Sequence, residues 1–148
     1  MTTWESFAAE APELVEAVRR CFDIRKHCTL ATLRKDGSPR ISGTEVEFSD
    51  GNVWLGSMPN AVKALDLRRD GRFALHSPSV DPPEEDHSRW TGEAKLAGTA
   101  VEVNDLESGG SGHRFRLDIS EVVFTHLANG GLEIQSWHPG RGISIRRR

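Results

Sequence analysis

Long apolar runs are missing from this chain: no uninterrupted segment approaches the length that spans a bilayer. The N-terminus "MTTWESFAAEAPELVEA" carries acids where an export signal would carry a cationic start and an apolar stretch. A soluble, cytoplasmic protein is therefore expected. Cysteine is scarce as well, with only Cys21 and Cys28 in "CFDIRKHC". That spacing is neither a CxxC pair nor a disulfide framework, so both are expected as buried thiols. An excess of basic charge is also lacking. Lys plus Arg number 19 against 22 Asp plus Glu, and the formal net charge of -3 argues against a general nucleic-acid binder.

The common catalytic signatures are absent too. There is no GxGxxG after a strand, no GxxxxGK[ST], no GxSxG and no HExxH. Histidines at 27, 76, 87, 113, 126 and 138 are scattered, without a pair at metal-like spacing, so no metal site is expected. Glu84, Glu85 and Asp86 form a charge run that reads as a solvated face. Ser57 has no partner base that the sequence assigns. Hydrolase chemistry is left without support.

What is present describes one domain. A chain of 148 residues buries roughly two-thirds of its unfolded surface, enough to fold alone. Trp4, Phe7, Ala8, Ala11, Leu14, Val15, Val18 and Phe22 follow helical spacing, with Thr2 and Glu5 offering a capping box. Pro12 fits a first turn but not a helix interior, and so predicts two helices in the segment 3–23. After His27 the period shifts towards two. "CTLATLR" and "PRISGTEVEF" flank "KDGS", a hairpin turn, and "SDGN" leads into "VWLGS".

"RFALHS" reads as a further strand, followed by the long acidic loop 77–91, a candidate flap. "AKLAGTAVEV", "HRFRLDISEVVFTHLA" and "LEIQSWHP" read as three more strands, separated by a flexible "NDLESGGSG" and the turn "NGG". Tightly connected strands with helices only at the start and once inside predict a mainly β fold, an antiparallel six-stranded barrel over residues 25–145. Trp4 falls on the apolar helix face and Trp54 within a strand, so both are expected in the core. Trp90 and Trp137 flank turns, where stacking on a flat ligand and dimer packing are both open. Arg146, Arg147 and Arg148 read as a solvated tail, with attraction of an anionic cofactor tail as the other reading.

The stretch "LGSMPNAVKALDLRRDGRFAL", residues 55–75, gathers Ser57, Asn60 and Lys63 at the front of a helix expected to begin near Pro59 and stop at Gly71. A helix front offers unpaired N–H groups and the positive end of a dipole, a common seat for phosphate. Ser57 and Asn60 can add neutral donors and Lys63 a point charge. The other reading is an ordinary cap, with Ser57 or Asn60 bonding the first turn.

"TLATLRKDGSPRISGTEVEF", "VWLGSMPNAVKALDLRRDGRFALHS" and "EAKLAGTAVEV", taken in order, resemble the pyridoxamine 5'-phosphate oxidase-like family of split-barrel flavin and deazaflavin proteins. The resemblance covers roughly residues 25–145. It implies a homodimer with two cofactor sites at the interface, FMN or a deazaflavin lying against the second strand. Ser42, Gly43, Thr44 and Glu45 then lie beside the ring, with the hydroxyl of Ser42 or Thr44 tuning it. Ser57 and Lys63 hold the phosphate, with Met58 and Asn60 between them. Glu93, Lys95, Trp137 and Arg141 of the partner subunit complete the wall.

Departures from the true oxidase argue against the vitamin B6 reaction. Its second-strand arginine and lysine match Ser42 and Glu47, its arginine before the helix lysine becomes Val62, and "WHPGRGISIRRR" stands where its substrate motif would be. Arg40 lies close enough in sequence to substitute for a lost cation. Three function classes follow: an oxidoreductase moving hydride through FMN or a deazaflavin to a small substrate, a non-catalytic flavin-binding module, and an interaction protein with an empty site.

Overall fold

Pro12, with no N–H to contribute and its φ already helical, sets how the chain begins. In the computed structural model, which describes residues 2–103 and 112–148, helix α1 (Trp4–Glu10) ends at Ala11 and α2 (Pro12–Asp23) starts on the proline itself. The cap of α1 is Thr3, one residue later than the capping box expected from Thr2 and Glu5: Thr3 Oγ1 accepts from the Ser6 N–H at 3.0 Å. The Glu5 N–H is already taken, donating to the Gly51 carbonyl at 2.9 Å. Trp4 and Phe7 pack on Phe48 and Trp137, at 4.8 and 4.9 Å between ring centroids, and tie the helices to the strands.

The strands follow as β1 (Cys28–Leu33), β2 (Pro39–Thr44), β3 (Val46–Ser49), β4 (Asn52–Ser57), β5 (Arg72–His76), β6 (Glu93–Glu102), β7 (His113–Ala128), β8 (Gly131–His138) and β9 (Gly142–Arg147), with α3 (Val62–Arg69) between β4 and β5. Every ladder among them is antiparallel. Their order is β2-β1-β5-β6-β7-β4-β3. Only Glu45 separates β2 from β3, so the path begins and ends on one stretch of chain. Counting that stretch once gives the expected six-stranded antiparallel barrel.

At 16 residues, β7 is too long for one partner on each edge. β4 pairs with its start and β8 with its end, while β6 runs along the other edge. The pair β8–β9 therefore extends off the barrel. The sequence ended its strands at His138 and Pro139, and here the structure differs: Arg146 and Arg147 belong to β9 and pair with Ile134 and Glu133. Gly140 and Gly142, both with φ above +70°, turn the chain back where a side chain would be strained. Because β9 is exposed along most of its length, no alternation announced it.

The barrel interior holds Leu30, Val53, Leu55, Leu75, Leu96, Phe115, Leu117 and Ile119, all buried. Cys21 and Cys28 are free and buried, and burial pushes both thiols up to about 11. Helix α3 is fixed through Asp66, whose carboxylate is 2 % exposed. Its Oδ2 accepts from Thr32 Oγ1 at 2.8 Å and Arg40 Nε at 2.7 Å, and its Oδ1 from Arg69 Nη2 at 3.0 Å. Burial alone would raise its pKa, but the hydrogen bonds from Arg40, Thr32 and Arg69 outweigh it and hold the carboxyl below the usual range. Arg40 is thus bound to the helix rather than supplying a spare cation. No helix among the described residues is long and apolar enough to cross a membrane.

Candidate functional site

Strand β4 leads through residues 58–61 into α3. The helix starts at Val62, not near Pro59, and spans about two turns, because Asn60 takes a left-handed backbone at φ +60° and Ala61 an extended one. Neither Ser57 nor Asn60 caps it. Ser57 Oγ donates to the Met58 carbonyl at 3.2 Å, and Ala61, which has no side-chain donor or acceptor, stands at the cap position. The ordinary-cap reading fails, leaving a helix front that no side chain among the described residues closes. Lys63 lies in the first turn and reaches back to β2, its Nζ donating to the Gly43 carbonyl at 2.9 Å. An ammonium carries three protons, and this bond uses one.

A cleft of about 560 Å³, a size suited to a small ligand, is lined by Ser57 and Met58, which lead into this helix, and by no residue of α3 itself. Its lining comes from three neighbouring stretches of the sheet: Glu45, Val46 and Glu47 at β3, Trp54, Leu55, Gly56, Ser57 and Met58 along and just after β4, and Gly112, His113 and Arg114 at the start of β7. The Arg114 guanidinium sits 3.8 Å from the centre of the Trp54 ring, a cation–π contact on the cleft lining. A Cβ on Gly112 would lie 2.4 Å from the Ser57 carbonyl oxygen, so only glycine lets the start of β7 approach the loop this closely. Met58 is 80 % exposed at the rim.

A charged chain lies behind the cleft. Arg68 Nε and Nη2 donate to Glu102 at 2.9 and 2.7 Å, His113 Nδ1 lies 3.0 Å from Glu102 Oε1, and the Asn60 N–H donates to His113 Nε2 at 3.1 Å. Hydrogen bonds from Arg68 first and His113 second hold the Glu102 carboxyl down at about 2.

Neither a protein-family model nor a curated protein matches the chain. Solved structures do. The chain is similar to a pyridoxamine 5'-phosphate oxidase-related, FMN binding protein from Nostoc punctiforme, with a TM-score of 0.66 at 11% identity over 97% of this chain and 98% of that one. PhzG from Burkholderia lata, in complex with tetrahydrophenazine-1-carboxylic acid, gives 0.61 at 14% over 96% and 88%. An F420 reductase gives 0.53 at 11% over 71% and 94%. The chain has the split-barrel fold. At these identities the likeness is one of architecture.

Within one split barrel, Glu45, Ser57 and Met58 line the cleft, and Asn60, Lys63 and Gly43 adjoin it through the loop and the lysine bond. Ser42 is half-buried in β2. Thr44 differs from expectation: it is buried, and its hydroxyl's contact is the adjacent Glu45 carbonyl at 3.4 Å, so it does not present a donor to a ligand. Glu93 and Lys95 lie at the other end of β6, where Glu93 pairs with Thr125 while Glu102 pairs with Phe115. Arg141 is exposed at the β8–β9 turn.

Trp137 is a correction. It is 0 % exposed and packed edge-on against Phe7, so it is core and not a ligand wall. Trp54, expected in the core, is half-buried on the cleft instead. The candidate flap is pinned to its own end of the barrel: Trp90 Nε1 donates to the Val80 carbonyl at 2.8 Å and Ser77 Oγ accepts from the Ala94 N–H at 3.0 Å. Sequence reading missed Val46, Trp54, Gly112, His113 and Arg114 as cleft residues. Only the β4–β7 ladder, with Ser57 opposite His113, brings these distant segments together.

Proposed function

We propose that the chain is an FMN-dependent oxidoreductase that moves hydride between its flavin and a small substrate. The observation that carries this reading is an α3 front that no side chain among the described residues closes, with Lys63 in its first turn, joined through Ser57 and Met58 to a cleft of about 560 Å³. The donor set fits a phosphate monoester: N–H groups, the positive end of a helix dipole and an ammonium with protons to spare. Glu45 and Glu47 at the β3 part of the lining repel a phosphate, which favours its seat towards Ser57, Asn60 and Lys63. The fold shared with an FMN binding protein adds to this.

When bound, FMN supplies the hydride chemistry. The chain's part is to bind, orient and exclude water. The α3 front and Lys63 fix the phosphate end; Ser42, Gly43, Glu45 and Trp54 offer a surface for the flat ring. A second copy completes the site in this proposal. Its docking surface is the outer face of β2, β1, β5, β6 and β7, where Ile41, 75 % exposed, adjoins Ala31, Ala74, Ala97 and Val123. Glu93, Lys95 and Arg141 would then reach the partner's cofactor. Ile41→Arg should convert a dimer to a monomer in sedimentation velocity. The two unpaired cysteines accord with a cytoplasmic setting.

One observation favours a deazaflavin instead. A second cleft of about 440 Å³ shares Glu45 and Val46 with the first and gives room for a longer tail, with Arg25 and Lys26 as cations on a lining that also holds Asp23 and Glu45. Parallel fluorescence titrations with FMN and F420, each repeated with Lys63→Ala, test both readings. Saturable binding of one, weakened by the substitution, supports the cradle and names the cofactor. Binding without turnover of electron donors would make the protein a flavin-binding module. No binding of either would sink the cofactor reading and leave an interaction protein.

A further inference from the structure

We infer that His113 is a positioning residue for the cleft: oriented by Glu102 and Arg68, its imidazole fixes the loop 58–61 that forms the rim. This rests on the cofactor reading for what the cleft binds, though not for the device itself. A backbone N–H can only donate, so the 3.1 Å contact from Asn60 means that His113 Nε2 carries no proton. The neutral ring therefore bears its proton on Nδ1, which faces Glu102 Oε1 at 3.0 Å. Arg68 holds the same carboxylate through two nitrogens, and its Nη2 shares Oε1 with the imidazole and lies 3.1 Å from His113 Nδ1, so that the three side chains form one cluster.

These bonds close a loop in space. Arg68 stands in the last turn of α3 and Asn60 two residues before its first, so the chain Arg68–Glu102–His113–Asn60 runs from the rear of the helix through β6 and β7 to its front. The helix is thereby held at both ends against one edge of the barrel. Asn60 is where this matters, because φ of +60° is a conformation that a non-glycine residue adopts at some cost. Its N–H bond to His113 selects that conformation, and the turn sets where Ser57, Met58 and the α3 front stand around the cleft. The His113 side chain is only 10 % exposed and so keeps its place, while the bond it accepts from Asn60 lies at the exposed rim.

The first test needs no ligand. Nitrogen-15 shifts of the His113 ring should show a protonated Nδ1 and a bare Nε2. Amide exchange at Asn60 should quicken about tenfold in His113→Phe, which cannot accept, and stay slow in His113→Gln, whose Oε1 can stand where Nε2 was. The melting temperature read alongside separates this from general destabilisation. FMN affinity should then fall about tenfold in His113→Phe and stay within about threefold in His113→Gln.

A protonated Nε2, or equal Asn60 exchange in all three proteins, overturns the inference. So does FMN affinity that His113→Phe leaves unchanged in a wild type that binds. If the tautomer and exchange results hold while the wild type ignores FMN, the cofactor reading falls and the positioning device stands.

Discussion

The two sides of α3 are built on opposite principles. The side facing β1 and β2 buries a carboxylate, Asp66, and satisfies it with Thr32, Arg40 and Arg69. The end facing the cleft offers N–H groups that no side chain among the described residues caps, a lysine bonded to a backbone carbonyl, and a loop with one left-handed residue. One region has its polar needs met from within; the other has donors that the described residues leave unused. Stability and binding are therefore separable by substitution on a single short helix.

The sharpest break in that separation comes from Asp66→Ala, which strands Arg40 and Arg69 around an empty space. A loss of about 3 kcal/mol is expected in urea unfolding, since removing one member of a buried ion cluster leaves the others uncompensated. A loss below about 1 kcal/mol would mean that the buried side anchors nothing. At the other end, Lys63→Ala should leave unfolding within about 0.5 kcal/mol of wild type yet weaken FMN by about tenfold to hundredfold, the worth of a charge-assisted hydrogen bond. Equal effects on unfolding and binding would erase the distinction between the two sides.

Acid provides a graded version. Arg68 first and His113 second hold the Glu102 carboxyl down at about 2 against an ordinary 4.5, so its contribution should be complete above about pH 4.5 and be lost as pH falls through about 2. Arg68→Gln removes most of that shift. The stability gap between wild type and Arg68→Gln should therefore shrink as urea unfolding is repeated from pH 5 down to pH 2; a constant gap would place Arg68's contribution elsewhere. Ser57→Ala should do least, changing FMN affinity no more than about threefold, because the hydroxyl already donates to the Met58 carbonyl.

Much of the barrel was legible because its signals are local. Pro12 divided the helices, "KDGS" and "SDGN" set the hairpins, and alternation in "HRFRLDISEVVFTHLA" gave β7 its full span. Where the reading failed, the deciding contact was distant. Glu5 could not complete a box at Thr2 because its N–H goes to Gly51, and Trp137 is core because Phe7, from the other end of the chain, lies against it. Strand β9 has little burial to leave a pattern. The site divides in the same way: Ser57, Asn60 and Lys63 stand within one heptad, but the side that His113 and Arg114 supply exists only through the register of β4 on β7. The expected link over residues 104–111 lies outside the described residues.

The ring of strands closes at Glu45 through the chain itself, since β2 and β3 are successive in sequence and are not neighbours in the sheet order. Elsewhere around the circumference, widening the barrel means breaking a row of hydrogen bonds together. At this seam it requires only torsion about a few backbone bonds. Both clefts that meet at Glu45 and Val46 open along that seam. Any widening of the barrel is therefore expected at this seam first, where no ladder has to be broken.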